Sequence, residues 1–234
     1  MSRDVHPAIG AGIGAVLVGA CRPLAGTPHA SAIAKRPAPA RLWLGALGFA
    51  GDEQADRRHH GGADKAVHHY AFDHYAWWST QIGARDVLAQ PGAFGENLST
   101  SGMTERDVCI GDVFTLGGAV LQLSQSRQPC WKLNARFEHP RMAALVQQSG
   151  RTGWYYRVLE EGWVEPGAVL ALHARPHPEW PLSAVLDVLY RRTLDTAALD
   201  ALCGIETLPP GWRKMLERRR TEQTVEDWTK RLEG

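Results

Sequence analysis

The sequence predicts a mainly β fold with α-helices, a β-barrel domain over residues 1–175 followed by a small three-helix domain over 176–234. Three observations predict it. The apolar runs are short and separated by turn residues, the pattern of a sheet that closes on itself. Two of those runs are joined by Gly117-Gly118, a two-residue hairpin turn that tolerates positive φ. After the proline-rich junction ARPHPEWP (174–181) no strand pattern returns and the apolar spacing turns helical.

Taken in order, a glycine-rich lead runs into a first strand over 15–18. Further strands are expected at RLWLG (41–45), DVFTL (112–116), AVLQLS (119–124), WYYRVL (154–159) and AVLAL (168–172), the last entered through a Pro166-Gly167 turn. Asp64 is placed to cap a helix over 65–79, with Val67, Tyr70, Ala71, His74 and Trp78 near one face. A second helix opens at Pro140, runs to about Gln148 and ends at Gly150. Beyond 175, PLSAVLDVLYRR, DTAALDALCG and GWRKMLERRR read as three short helices and TVEDWTKRL as a last one. Ser183 and Asp195 are the expected N-caps and Gly204 a stop. Helices this short are unstable alone, so they are expected to pack on one another and on the barrel or on a second subunit, as in a homodimer.

The composition narrows the function. A net charge of +1 gives no electrostatic reason to expect nucleic acid or an anionic membrane as partner. The run Arg218-Arg219-Arg220 is flanked by Glu217 and Glu222 and reads as a solvated helix face. Cys21, Cys109, Cys130 and Cys203 are scattered, with no C-x-x-C pair, which argues against a zinc site and a disulfide framework and fits a cytoplasmic protein with reduced thiols. The apolar stretch 8–21, ending at Cys21, resembles a lipoprotein signal. Four glycines within it and Asp4 before it favour the strand reading.

Three stretches carry the candidate chemistry. In QSRQPCWKLN (125–134) the strand ends near Ser126, and Pro129 cannot join a sheet ladder, so Cys130 is delivered to a loop between Arg127 and Lys132. Nearby cations favour a thiolate that attacks electrophiles or binds soft metals. A buried inert thiol stands equally open. In GDEQADRRHHGGADKAVHHY (51–70), His60-Gly61-Gly62 precedes the expected helix start, where backbone amides approach an anion. The other histidines there, His59, His68 and His69, read singly as surface or core residues. PGAFGENLST (91–100), with Glu96 and Asn97, reads as a turn-rich connection.

Together and in this order, SAIAK (31–35), GDEQAD (51–56), HGGADKAV (60–67), FGENLS (94–99), GDVF (111–114) and SRQPCWKLN (126–134) resemble a MOSC domain of the YiiM type. LPPGWRKMLERRR and EDWTKRL resemble that type's three-helix extension. The resemblance implies a β-barrel, a molybdenum cofactor (molybdopterin) with Cys130 as the metal ligand, and a cytoplasmic reductase of N-hydroxylated compounds such as hydroxylaminopurines. In that reading Lys35, Arg57 and His60 with Gly61 and Gly62 hold the cofactor's phosphate, and Asn97, Ser126, Arg127 and Asn134 line the pocket. No flavin or iron–sulfur signature is present, so the electrons are expected from a separate reductase. Two alternatives stand beside it: a sulfur-carrier module with persulfide on Cys130, and a hydrolase using Cys130 and His60 as nucleophile and base.

Overall fold

The computed structural model describes residues 10–14, 16–56 and 61–234. The chain order begins with β1 (Gly10–Gly12), β2 (Leu17–Val18), β3 (Arg22–Pro23), β4 (Ala30–Ser31), β5 (Arg36–Pro37), β6 (Leu42–Gly45), β7 (Gly48–Phe49) and β8 (Val67–Ala71). Helix α1 (Asp73–Ile82) precedes β9 (Leu98–Thr100), β10 (Val113–Leu116) and β11 (Ala119–Ser126). Then come α2 (Lys132–Arg136), α3 (Met142–Ser149), β12 (Trp154–Glu160), β13 (Gly162–Val164) and β14 (Val169–Ala174). The tail holds α4 (Leu182–Tyr190), α5 (Thr196–Cys203), α6 (Pro210–Glu222) and α7 (Thr229–Glu233).

Seven strands form one nearly closed, barrel-like sheet in the order β1-β14-β10-β11-β12-β8-β9. All neighbours are antiparallel except β8 and β9, which run parallel. The two edges are drawn together where Val16 bridges Leu98 and the Leu17 amide donates to the Asn97 carbonyl at 2.8 Å. Closure removes the exposed edges an open sheet would present. The hairpin at Gly117-Gly118 pairs Leu116 with Ala119, as the two glycines predict.

The apolar stretch that resembles a signal belongs to this barrel. Gly10–Gly12 pairs with Val169–Ala171, and Ile13, Val16 and Leu17 are core residues. The expected strand over 15–18 is realised as Leu17–Val18, position 15 lying outside the described residues. Among the described residues no helix is long and apolar enough to cross a membrane.

The expected helix over 65–79 is corrected. Ala63–Lys65 is a single 3₁₀ turn, 67–71 is strand β8, and the helix begins at Asp73. All five residues of β8 are buried, because β12 and β9 flank it and both its faces are covered. A strand buried on both faces shows no alternation, so its pattern is indistinguishable from a buried helix face. Asp64 caps no helix: its carboxylate accepts from Arg157 Nε at 2.8 Å, and its carbonyl from Ser124 Oγ at 2.6 Å.

The helix after Pro140 is observed as α3, with Gly150 left-handed at its end. The first three tail helices form where expected, and Asp195 caps α5 by accepting from the Ala198 amide at 3.1 Å; the expected last helix over TVEDWTKRL is cut back to α7, which begins only at Thr229, the residues before it being non-helical. Ser183 is not an N-cap. It lies inside α4, whose first amides are taken by the barrel itself: Leu182 donates to the Val108 carbonyl at 2.8 Å and Ser183 to that of Glu105 at 2.7 Å. Leu182, Val185, Leu189, Leu199, Leu202, Trp212 and Leu216 join one apolar cluster with barrel residues such as Phe114, Leu121 and Tyr156. Tail and barrel therefore share a core.

Candidate functional site

Strand β11 carries its chain to one end of the barrel. Pairing with β12 persists to Ser126–Trp154, and the Arg127 amide still reaches the Gly153 carbonyl at 3.0 Å. Pro129 then ends the ladder, and Cys130 stands at the mouth of α2, 9% exposed. It faces a cleft enclosing about 620 Å³ including its solvent-open mouth. One wall is Ser31–Lys35 with 52–56; the other holds Arg127, Cys130 and Lys132, with Lys65, His68, Asn97 and Tyr155 also lining it.

Two residues of the FGEN loop build the cleft from behind. The buried Glu96 carboxylate accepts from the Gly92 and Phe94 amides at 2.6 and 3.0 Å and from the Tyr75 hydroxyl. Gly92 and Gly95 adopt φ of 106° and 76°, and a Cβ on either would lie 2.8 Å from Lys35 O or Ile33 Cγ1. The loop thus packs directly against the Ile33–Lys35 wall. Asn97 ties three segments together. Its Oδ1 accepts from the His68 amide at 3.0 Å, and its Nδ2 donates to Leu17 O at 3.0 Å and to Asp52 Oδ2 at 2.8 Å.

Asp52 also accepts from the Gly19 amide at 2.8 Å and pairs with Lys35. Burial pulls the Lys35 ammonium below its usual range while Asp52 pulls it back up. Lys65 is likewise lowered by burial, against Asp64, Asp56 and the Cys130 sulfur.

Three buried polar atoms have no hydrogen-bond partner among the described residues around this end of the barrel: His68 Nε2, Arg127 Nη1 and Ser126 Oγ. Burial, and then the Arg127 charge, hold the His68 imidazole well below its usual range, so it is neutral near pH 7. Its ring lies 4.9 Å from that of Tyr155, whose phenol is raised by burial and held back by Arg127. Unpartnered buried polar groups are rare and mark positions where a ligand or water completes the bonding.

The structure brings Lys35, Asn97, Arg127 and Cys130 to the cleft, with Ser126 directly before Arg127. Arg57 and His60 lie outside the described residues. Gly61 and Gly62 do not line the cleft, and they precede a single 3₁₀ turn rather than a helix. Asn134 is turned elsewhere, its Nδ2 on Leu232 O and its Oδ1 on the Ala143 amide, both at 2.8 Å. Asp52, Lys65, His68 and Tyr155 are the cleft residues the sequence reading missed. Strand alternation would have found His68: read as a strand, VHHYA sends His68 and His69 to opposite faces. His69 indeed points into the core, at 2.8 Å from Thr100 Oγ1 and 3.0 Å from the Tyr156 hydroxyl.

A nearly closed, mostly antiparallel sheet thus carries a cysteine loop at one end and a helical tail on its core, and the comparisons with known proteins give its class. The MOSC domain model matches residues 56–171, and the model of the YiiM-like 3-alpha helix domain matches 180–223. The chain is 38% identical over 204 residues to Protein YiiM of Escherichia coli (strain K12), covering 87% of this chain and 91% of that protein. It is 39% identical over 180 residues to a protein named reductase from Gibberella moniliformis, covering 76% of this chain and 31% of that one. The crystal structure of YiiM from Escherichia coli superposes with a TM-score of 0.80 at 30% identity, over 95% of this chain and 99% of that one. The chain belongs to the MOSC family, in its YiiM type.

Proposed function

We propose that this protein is a molybdenum-cofactor-dependent reductase that converts N-hydroxylated compounds, such as hydroxylaminopurine-like base analogues, to their amines. The observation that carries the reading is the donor set of the cleft: one cysteine on the lining that also carries His68 and Arg127, whose Nε2 and Nη1 are orphaned. Among the described residues no three His, Cys, Asp or Glu side chains converge to hold a bare ion. A single soft thiolate suits a metal whose other ligands arrive with an organic cofactor. The fungal relative's name, reductase, supports the same class.

The residues present fit that group. Cys130 would supply the protein's ligand to the metal. Arg127, with Lys132 on the same lining, would hold anionic and polar edges, while Lys35 is already matched by Asp52. His68, neutral and unpartnered at Nε2, would donate or accept one hydrogen bond there. When bound, the cofactor supplies two-electron removal of oxygen from an N–OH group. The electrons come from a separate reductase, since the sequence carries no flavin or iron–sulfur motif.

The test is metal analysis of freshly purified protein, with dithionite-driven reduction of 6-hydroxylaminopurine. One molybdenum per chain is expected, with both metal and activity lost in Cys130→Ala. Full activity in that variant, or cyanide-labile sulfur on Cys130 in place of molybdenum, would overturn the proposal.

A further inference from the structure

The last helix of the tail reaches the loop that bears Cys130. Helix α7 has five residues, too few to be stable alone. It is fastened from both directions. Upstream, the buried Arg219 ties the non-helical stretch before it to α4: Nε and Nη2 donate to Glu226 at 2.9 and 2.6 Å, and Nη1 donates to Leu189 O of α4 at 2.9 Å. Trp228 closes edge-on against Tyr190, ring centroids 5.6 Å apart.

Downstream, Arg231 brackets Cys130. Its guanidinium Nη1 donates to the Pro129 carbonyl at 2.5 Å, and its own carbonyl accepts the Trp131 amide at 2.8 Å. The residues immediately before and after the cysteine are thus held by one side chain and one backbone group of the same residue. Nη2 of Arg231 also donates to Gln147 Oε1 of α3 at 2.6 Å, and Asn134 Nδ2 donates to Leu232 O at 2.8 Å. Pro129 has no N–H, so the loop cannot satisfy itself as a ladder there.

We infer that Arg231, on the terminal helix, is a positioning residue that sets where the Cys130 sulfur sits in the cleft. As a strap on the loop it stands on geometry alone; as a device that aims a metal ligand it rests on the reductase reading. A ligand-bearing loop needs such support, because a cysteine on an untethered loop samples many positions and only some suit a metal.

The experiment uses the full chain as purified, wild type beside Arg231→Met and Arg231→Lys, and reads amide hydrogen exchange in peptides spanning 129–134 and 154–160 (β12). Arg231→Met is expected to speed exchange at 129–134 by about tenfold, the size of one lost charge-assisted bond. Arg231→Lys, which keeps a cation, is expected to lie between the two, and β12 to stay protected in all three. Exchange at 129–134 unchanged in Arg231→Met, or β12 loosened to the same degree as the loop, would overturn the inference. Molybdenum content on the same samples separates the two readings. A loosened loop together with molybdenum lost only in the variant supports both; a loosened loop with no molybdenum even in the wild type keeps the strap and removes the reductase reading.

Discussion

The Asp52 carboxylate pairs with the Lys35 ammonium in the cleft wall, the two side chains only 2% and 8% exposed. The partners are not equivalent. Asp52 keeps two neutral donors, the Gly19 amide and Asn97 Nδ2, when the lysine is taken away. Removing one member of a buried pair costs about 3–5 kcal/mol when the other is left uncompensated. Asp52→Asn is therefore expected to lose stability in that range by urea denaturation, and Lys35→Met clearly less. The reverse order would show that Lys35 has other support.

The orphaned donors give predictions of different size for stability and binding. His68 Nε2 and Arg127 Nη1 are each buried without a partner, so these side chains are short of a full bonding set, and His68→Leu and Arg127→Met should shift the stability of cofactor-free protein by no more than about 1.5 kcal/mol. The same changes should weaken retention of the cofactor roughly tenfold to hundredfold, the value of a lost charge-assisted bond. Molybdenum content after dialysis and thermal denaturation of the metal-free form check the two halves. Normal retention in both variants would remove these side chains from the binding site.

Acid sensitivity should trace to His69. Burial lowers its imidazole from 6.5 to about 3, so it is neutral in the fold, while the unfolded chain takes up a proton below pH 6.5. A group depressed in this way leaves stability intact above the unfolded value and withdraws it as pH falls from there toward about 3. At about pH 4.5 the loss from this residue is about 2–3 kcal/mol relative to neutral pH. His69→Gln keeps a donor and an acceptor toward Thr100 and Tyr156 without the titration. Its unfolding free energy should fall less between neutral pH and about pH 4.5 than that of the wild type. An identical fall in both would assign the acid response elsewhere.

Because tail and barrel share one apolar cluster, denaturation should show a single transition. Asp195→Ala removes the cap of α5 and should lower that one transition by about 1 kcal/mol. A new early transition confined to the tail would mean that the helices unfold as a separate unit.

Much of the architecture is local and so was legible in the chain. Gly117-Gly118 dictates a tight hairpin, Asp195 and Gly204 bound a helix, and Pro129 stops β11 just where Cys130 must leave the sheet. The cysteine loop was also legible, because a thiol, a proline and two cations within six residues form a pattern that needs no distant partner to be seen. What depended on burial was not. Strand β8 looks helical because both of its faces are covered, and with it went the distinction between His68, turned to the cleft, and His69, turned to the core. Asp52 is one carboxylate among several in GDEQAD until the fold sets it against Lys35, Gly19 and Asn97. Asn134, four residues beyond Cys130, reads as a site residue but binds α7, and Arg231, a hundred and one positions away, proves to hold the loop. Turns, caps and breaks are written in neighbouring residues and their backbone angles. The pairing of a buried charge, the face a side chain takes, and the tail's grip on the cysteine loop are decided only when distant segments exclude water together.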